Sequence, residues 1–216
     1  MKSRFNLFLI FYATITVFFQ LGCVTNKVAD NEKDYKGYKS GQWETQALIK
    51  NHKSKKSQTL DIDIFAIQNE KARFEISALL GFQVASLVIS GQNFSYIVYP
   101  EKAYFFGDSS SQSLEKSIGL PLNIMNLANI AFEQPIRGFG WKCNEDASGA
   151  LAKCENSDRG VSVAWFDRQN GQKNVLISAP QFEMRWRFNS PKTQVQFKAG
   201  IFTLKQPEGF KAIHLN

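Results

Sequence analysis

Histidine and cysteine are scarce in this sequence, with two and three residues among 216. Structural zinc is bound by closely spaced cysteine pairs together with further cysteine or histidine ligands. His52 and His214 lie far from Cys143 and Cys154 along the chain, so this spacing does not fit a zinc site. The sequence therefore predicts neither a metal centre nor a redox-active cysteine pair.

Catalytic signatures are also missing. The chain contains no Gly-x-Ser-x-Gly elbow, no HExxH motif and no glycine-rich phosphate loop. Asp61 and Asp63 alternate with isoleucines in "TLDIDIFAI", which is typical of the solvent face of a strand rather than of an acid/base pair. We expect a protein that is not an enzyme and that needs no cofactor.

A long hydrophobic run, Leu7 to Phe19, follows Lys2 and Arg4 near the start of the sequence. The run is shorter than the roughly 20 apolar residues of a membrane span, and a polar segment follows it. A positive start, an apolar core and small residues at its end are typical of a cleaved secretory signal. We predict a signal peptide over residues 1–22, with a retained membrane span as the alternative.

Cys23 ends the sequence Leu21-Gly22-Cys23, which resembles the bacterial lipobox, with Gln20 at the place where the box has leucine. The resemblance implies that Cys23 becomes the first residue of the mature chain and carries acyl chains such as palmitate. Two chains give stable membrane attachment, since each buried methylene contributes about 0.8 kcal/mol. In the alternative, a soluble secreted protein, Cys23 would be a free thiol in an oxidising compartment.

Residues 23–41 are polar and without periodicity, so we predict a lipidated flexible tether. Residues 42–216 are enough for one domain with one core, and they show no internal repeat and no second linker. Val24, rather than aspartate, follows the cysteine. Under the sorting scheme that the lipobox resemblance brings with it, this residue implies attachment to the outer membrane on its periplasmic side.

Cys143 and Cys154 are separated by ten residues that contain Gly149 and polar turn formers. Two cysteines at this spacing can meet across the base of a hairpin. A disulfide that closes so short a loop contributes on the order of 3 kcal/mol. We predict a disulfide between them, in agreement with an exported protein.

Basic residues outnumber acidic ones in this chain. Removal of residues 1–22 would leave 24 basic and 19 acidic residues, a net charge of +5. The densest cluster is "KNHKSKK", Lys50 to Lys56, without interleaved aromatic residues or a nucleic-acid-binding motif. We expect no nucleic-acid partner. A solvated turn and a contact with anionic lipid headgroups both stay open for this cluster.

Most of the body alternates apolar and polar residues in the way that is typical of strands. Short strands joined by turns such as "GQN" predict an antiparallel meander. After a segment with helical spacing, residues 109–134, strands resume and continue through "TQVQFKA" and "FTLKQP". We predict a mainly β (α+β) fold, in which one short and one longer helix, divided at Gly119-Leu120-Pro121, cover the concave side of a curved sheet.

The segment from Ala72 to Asp108, followed by "IGLPLNIMNLANI", resembles the LolA/LolB-type proteins and related exported lipoproteins. The likeness consists of Arg73 near a strand start, an apolar turn with Gly81, two hairpins and a break before an apolar helix. It implies a curved antiparallel half-barrel of about eleven strands with a helical lid over a hydrophobic cavity. In that family a carrier binds acyl chains, and a receptor that is itself a lipoprotein delivers the cargo to the outer membrane.

Leu79, Leu80 and Phe82 are an unusual choice for a turn between two strands, because loops lie at the protein surface. The resemblance implies a membrane-inserting loop, since the receptor branch has an exposed apolar loop at a comparable place. The alternative is that these side chains fold back under the helices as core.

Apolar residues occupy successive positions in "FSYIVYP" and "KAYFFGD", so we expect both faces of these strands to be covered. We predict that the lipid cavity is lined by one strand face and by the helices. The predicted cavity residues are Phe94, Tyr96, Val98, Phe105, Leu122, Met125 and Ile130.

Two functions follow from these observations. The first is an outer-membrane-anchored lipoprotein that binds acyl chains of lipoproteins or lipids and inserts lipoproteins received from a periplasmic carrier. The second is a structural or accessory lipoprotein that scaffolds an envelope protein complex, with its interior filled by its own side chains. An open apolar pocket beneath the helices favours the first function.

Overall fold

The computed structural model describes residues 37–108 and 122–215. The predicted signal peptide, Cys23, most of the tether and the predicted short helix with its Gly119-Leu120-Pro121 break lie outside these residues. The described part consists of thirteen strands and one helix, α1 (Ile124–Ala131). The strands are β1 (Ser40–Asn51), β2 (Ser57–Ile67), β3 (Lys71–Ala78), β4 (Gln83–Ser90), β5 (Asn93–Val98), β6 (Ala103–Asp108), β7 (Trp141–Glu145), β8 (Leu151–Asn156), β9 (Val161–Gln169), β10 (Gln172–Ser178), β11 (Phe182–Phe188), β12 (Lys192–Thr193) and β13 (Lys211–Leu215).

All these strands belong to one curved sheet that contains two antiparallel meanders, β1 to β6 and β7 to β11. The meanders are joined where β1 pairs with β11, for example at Thr45 and Phe188. Strand β13 pairs in parallel with β6 at one edge, and β7 forms the other edge. The predicted mainly β half-barrel with a helical lid is confirmed. The strands beyond the predicted eleven are β12, which has two residues, and β13, which has five.

Strand β2 shows how residue alternation creates the two faces of the sheet. Leu60, Ile62 and Ile64 are at most 7% exposed, whereas Asp61 and Asp63 point to the opposite side. Alternating side chains lie on opposite faces of a strand, so apolar residues at every second position cover one face. We call the face that carries the three apolar residues the inner face and the opposite one the outer face.

Helix α1 lies against the inner face. Asn123 caps its first turn, because the Asn123 side-chain oxygen accepts a hydrogen bond of 2.9 Å from the Met125 backbone N–H. Seven of the eight helical residues are buried. Phe132, directly after the helix, makes an edge-to-face contact with Trp43 on the inner face, with 4.8 Å between ring centroids. The helix is therefore enclosed by the sheet rather than resting on its rim.

The C-terminal residues 194–210 follow an irregular path along the outer face, and we call this segment the strap. The predicted strands "TQVQFKA" and "FTLKQP" are wrong beyond Thr193, where β12 ends. The Gln194 backbone N–H still donates to the Ser40 carbonyl over 2.9 Å. Farther along, side chains attach the strap: Phe65 contacts the Phe197 ring, and the Arg73 guanidinium donates to the Ile201 carbonyl over 2.8 Å. A segment that crosses the face of a sheet has no strand edge to pair with, so alternation there does not produce a ladder.

Cys143 and Cys154 form a disulfide between directly paired positions of β7 and β8, with 4.0 Å between their Cα atoms. Cys154 is fully buried, while Cys143 lies on the exposed edge strand. The bond therefore ties the edge strand β7 to the core.

Candidate functional site

The turn between β3 and β4 carries exposed apolar side chains. Leu79, Leu80 and Phe82 are 66%, 85% and 70% exposed. The turn is closed by a hydrogen bond of 2.8 Å from the Ala78 N–H to the Phe82 carbonyl. The alternative in which the three side chains fold back as core is not what the structure shows. We call these three residues the apolar tip.

Backbone geometry makes the choice of residues at the tip more unusual. Leu80 has a φ of 75° and Gly81 a φ of 78°. A bulky residue in the left-handed region costs roughly 1–2 kcal/mol, and glycine or asparagine usually occupies such positions. Leu80 thus combines backbone strain with almost complete exposure of an apolar side chain. This combination motivates a functional hypothesis, because neither property stabilises the fold.

The apolar tip continues into the inner face. Ile76 and Ala78 precede it on β3, Val84 follows it on β4, and all three are partly buried against the core. Sequence reasoning missed these residues, although the alternation of Ala72 and Phe74 in β3 already places Ile76 and Ala78 on the inner face. An unbroken apolar path therefore leads from the exposed tip into the concave side of the sheet.

The strand pairings show that the inner face extends across the sheet to the predicted cavity residues. Phe74 pairs with Leu87, Leu87 with Tyr96, and Tyr96 with Phe105, so these side chains share one face. Tyr96 and Phe105 stack with 5.8 Å between ring centroids. Burial, and after it the nearby Glu101 carboxylate, raises the pKa of the Tyr96 phenol.

All seven predicted cavity residues lie on the inner face or on the segment of α1, at different depths. Phe94, Leu122 and Ile130 are at most 2% exposed and belong to the core. Tyr96, Phe105 and Met125 are partly buried and contact that core. Val98 is partly buried on the same face of β5, opposite Ala85.

The half of the inner face formed by β1 and β9 to β11 is more completely filled. Trp43, Trp165, Trp186 and Phe188 are at most 4% exposed there. The Thr45 hydroxyl is buried among them and accepts a hydrogen bond of 2.7 Å from the Trp186 indole. The inner face is thus filled on this side, whereas several apolar side chains of its half near β4 to β6 are only partly buried.

Charged side chains hold the end of α1 in the closed half. The Glu133 carboxylate lies 2.9 Å from the Arg168 Nε and 3.3 Å from the Lys173 Nζ. The Lys173 ammonium also donates to the Ala131 carbonyl over 2.5 Å. Burial lowers the pKa of Lys173 to about 8, with the Glu133 carboxylate opposing that shift.

Among the residues that the structure describes, two cavities lie on the outer side of the sheet, along the strap. The larger, about 630 Å³, is lined by Lys39, Lys71 and strap residues 195–200 among others. The smaller, about 480 Å³, lies between Arg73, Glu75 and Ile201. Neither is lined by any of the seven predicted cavity residues. These sites depend on the path of the strap, which the sequence pattern did not predict.

Within residues 37–108 and 122–215, no group of histidine, cysteine, aspartate and glutamate side chains is arranged to hold a metal ion. In the same residues, no helix has the length and apolar character needed to cross a bilayer.

Neither a protein-family model nor a curated protein sequence matches the chain. Solved structures match it in shape. A LolA superfamily protein from Nitrosomonas europaea has a TM-score of 0.51 and 8% identity, with 81% of this chain and 94% of that chain covered. A DUF1329 family protein from Desulfovibrio piger has a TM-score of 0.48 and 10% identity, with 79% and 92% covered. A domain from Vibrio parahaemolyticus that is named for outer membrane lipoprotein sorting has a TM-score of 0.48 and 8% identity, with 81% and 94% covered.

The protein therefore has a LolA/LolB-like fold, a curved antiparallel sheet that encloses an apolar helix. The resemblance drawn from the sequence is confirmed at the level of the fold. At 8% identity the match to the LolA superfamily protein establishes the fold alone, so function is argued from the residues of this chain.

Proposed function

We propose that this protein is a lipoprotein of the outer membrane that binds acyl chains and passes them into the bilayer. The acyl chains belong to lipoproteins or lipids, and a periplasmic lipoprotein carrier is the proposed donor. One observation carries the proposal: the exposed apolar tip is continuous with partly buried apolar side chains on the inner face. No covalent step is needed, so the proposed role is not that of an enzyme.

The driving force is burial of apolar surface. An acyl chain on the inner face, between β4 to β6 and Met125, leaves water and contacts Tyr96, Val98 and Phe105. The bilayer offers the same chain an apolar environment without confinement, so transfer into the membrane releases it. Each of the three tip side chains gains roughly 1.5–3 kcal/mol on entering an apolar phase, which would hold the mouth of the site at the membrane.

The proposed location depends on residues outside the described part. Acylation of Cys23 would attach the chain to the periplasmic leaflet of the outer membrane, and the residues between Cys23 and the start of β1 at Ser40 would serve as the tether. The Cys143–Cys154 disulfide supports export, because disulfides persist in oxidising compartments. A tethered body that already stands at the membrane needs only a short movement to bring its tip into the bilayer.

A second function, a scaffold for an envelope protein complex, is favoured by the closed half of the inner face. There Trp43 packs on Phe132, and the charged group around Glu133 holds the end of α1. If the half near β4 to β6 closes in the same way, the protein binds no acyl chain. The two functions therefore differ in whether lipid binds.

Native mass spectrometry of the full chain, released in detergent from a Gram-negative host, separates the two functions. We expect co-purified lipid or a lipoprotein acyl group on the wild-type protein and its loss in Met125→Glu. Leu48→Glu is the matched control, because Leu48 is an exposed apolar residue on the outer face of β1. A ligand-free mass that also resists loading with added lipoprotein would favour the scaffold.

Transfer is tested separately from binding. Leu79→Ser with Leu80→Asn removes two of the three apolar side chains of the tip, and asparagine tolerates the positive φ at residue 80. We expect slower transfer of a labelled lipoprotein to liposomes with unchanged acyl binding. Equal transfer rates for wild type and variant would contradict the role of the tip.

A further inference from the structure

The Lys50–Lys56 cluster lies on the same rim of the sheet as the apolar tip. Strand β2 pairs with β3, and Leu60 lies opposite Ala78, the last residue before the tip. The β1–β2 turn, residues 51–56, is therefore the direct neighbour of the β3–β4 turn. Two turns with different chemistry, one basic and one apolar, stand side by side at this rim.

The basic turn is structured rather than loose. The Asn51 N–H donates to the Lys56 carbonyl over 2.9 Å, and the Ser54 N–H donates to the Asn51 side chain over 2.8 Å. The His52 N–H donates to the Gln181 carbonyl, which fixes the turn to the neighbouring hairpin. The lysine side chains at positions 50, 53, 55 and 56 are all exposed. Their charges are thus held in one place at the rim.

Little of the charge on this cluster is cancelled locally: Glu183 on β11 lies directly opposite Lys50, but its carboxylate pairs with Arg185 over 3.1 Å. No acidic residue occurs between Glu44 and Asp61. None of the ion pairs formed between residues of the described ranges involves lysines 50, 53, 55 or 56. On two other turns of the rim, each acidic residue is followed directly by a basic one. These pairs are Glu101 with Lys102 and Asp158 with Arg159.

A second exposed apolar residue stands on the same rim. Phe139 is 96% exposed and lies just before β7. Its carbonyl accepts a hydrogen bond of 2.9 Å from the side chain of Asn156, the last residue of β8. Trp141 pairs with Asn156, and the pairings of β8 with β9, β9 with β10 and β11 with β1 place this loop at the same end of the sheet as the β1–β2 turn and the apolar tip. Along the rim, the basic turn therefore lies between the apolar tip and Phe139.

We propose that this rim is a docking surface for an anionic bilayer, with the lysines on the headgroups and the tip and Phe139 among the acyl chains. This inference rests on the proposed function and adds a selectivity to it: the protein engages membranes that contain anionic lipid. Apolar insertion and cationic attraction are the two signals that peripheral membrane proteins combine. Each lysine near an anionic surface strengthens binding about fivefold at moderate ionic strength.

The test follows insertion of the tip with an environment-sensitive NBD fluorophore. The full chain carries Leu80→Cys, labelled with NBD, and is reconstituted into phosphatidylcholine vesicles with 0–40% phosphatidylglycerol. A label at Gln92→Cys, on the turn between β4 and β5 at the opposite rim, is the position control. We expect the emission at residue 80, but not at residue 92, to shift to the blue as phosphatidylglycerol increases.

The charge of the turn is tested with Lys53→Gln, Lys55→Asn and Lys56→Gln combined; asparagine suits the positive φ of residue 55. Three lost lysines should lower the ratio of inserted to free tips by roughly 100-fold on anionic vesicles. The matched control combines Lys192→Gln, Lys198→Gln and Lys205→Gln, which removes equal charge from other exposed positions. This control should insert like the wild type.

Two negative outcomes have different meanings. A blue shift that is equal in neutral and anionic vesicles, and unchanged by loss of the three turn lysines, overturns the anionic docking surface and leaves the proposed function standing. A residue-80 label that stays in water at every lipid composition overturns membrane insertion of the tip, and with it the delivery step of the proposed function.

Discussion

Buried polar side chains determine how firmly the lid helix is held. The last carbonyls of a helix lack partners within the helix itself. Here the Trp165 indole N–H donates to the Ile130 carbonyl over 3.2 Å, and the Lys173 ammonium donates to the Ala131 carbonyl over 2.5 Å. Both donors come from strands of the sheet. The C-terminal end of α1 is therefore fixed to β9 and β10.

The buried lysine leads to a prediction about alkaline stability. In the native protein burial lowers the pKa of Lys173 to about 8, from an ordinary value of 10.5. Between these two values the unfolded chain binds this proton and the native chain does not. Raising the pH therefore favours the native state, by up to about 1.4 kcal/mol per pH unit.

Urea denaturation of wild type and Lys173→Met at several pH values from 7 to 10.5 checks this prediction. The free energy of unfolding of the wild type, minus that of the variant, should rise through the window from pH 8 to 10.5. Subtraction removes the titration of groups common to both proteins. A difference that stays constant, or falls as the pH rises, would contradict the assignment.

The sequence contains part of this information. In "QKNVLIS" Lys173 shares its strand face with Val175 and Ile177, so the alternation already marks a lysine on the inner face. Its partner Glu133 follows α1, outside any strand. No local pattern connects two residues whose contact depends on where the helix ends inside the sheet. The apolar tip is a second example. The sequence shows that the tip is apolar, but only the structure shows that its side chains point into solvent.

At the scale of elements, the outer face of the first meander carries a row of carboxylates. Asp63 on β2 lies directly opposite Glu44 on β1 and Glu75 on β3. Burial, followed by the Glu44 and Glu75 carboxylates, raises the pKa of Asp63. Like charges at directly paired positions destabilise a sheet.

Asp63→Asn should therefore stabilise the protein at neutral pH, by a few tenths to about 1 kcal/mol. Because the native state holds the Asp63 proton more tightly than the unfolded state, this advantage should shrink as the pH falls to 3. Urea denaturation at pH 7 and pH 3 measures both effects. Asp61→Asn is the matched control, since Asp61 lies between Gln46 and Ser77 rather than between acids. Equal stabilisation by the two changes would argue against cross-strand repulsion.

Strand prediction succeeded where alternation and sheet pairing coincide. In β2 and β3 every second residue is apolar, and both strands have neighbours on each side. The strap alternates in a similar way, as in "TQVQFKA", but its phenylalanine lies on the outer face of other strands. Alternation indicates which side chains pack against an apolar surface. It does not tell whether the backbone has a neighbour to pair with.

At the scale of the whole molecule, the strap connects the C-terminal part of the chain to the first meander. Phe197 contacts Phe65 on β2 and Phe202 within the strap, and the Tyr104 hydroxyl donates to the Leu204 carbonyl over 3.3 Å. After the strap, β13 extends the sheet beside β6. The strap therefore covers the outer side of a sheet whose inner side holds the helix.

Phe197→Ala should loosen the strap without unfolding the sheet. We expect a loss of about 1–2 kcal/mol, less than for a fully buried phenylalanine, and faster hydrogen exchange at Ile201 and Thr203. Phe166→Ala is the matched control, because Phe166 is 41% exposed on a strand outside the strap's contacts. Hydrogen-exchange mass spectrometry with thermal unfolding measures both. An equal exchange pattern in the two variants would mean that Phe197 does not anchor the strap.

The pairing of β1 with β11 has a consequence for how the protein reaches its native state. Thr45 and Trp186, bonded across this pair of strands, are 141 positions apart in the sequence. Closing so long a loop is slow, because its entropy is lost before the contact forms. If the chain is exported from its amino end, as proposed above, β1 emerges long before β11. During that interval β1 presents an unpaired edge to other chains, so the time of transit, rather than the final stability, sets the risk of aggregation.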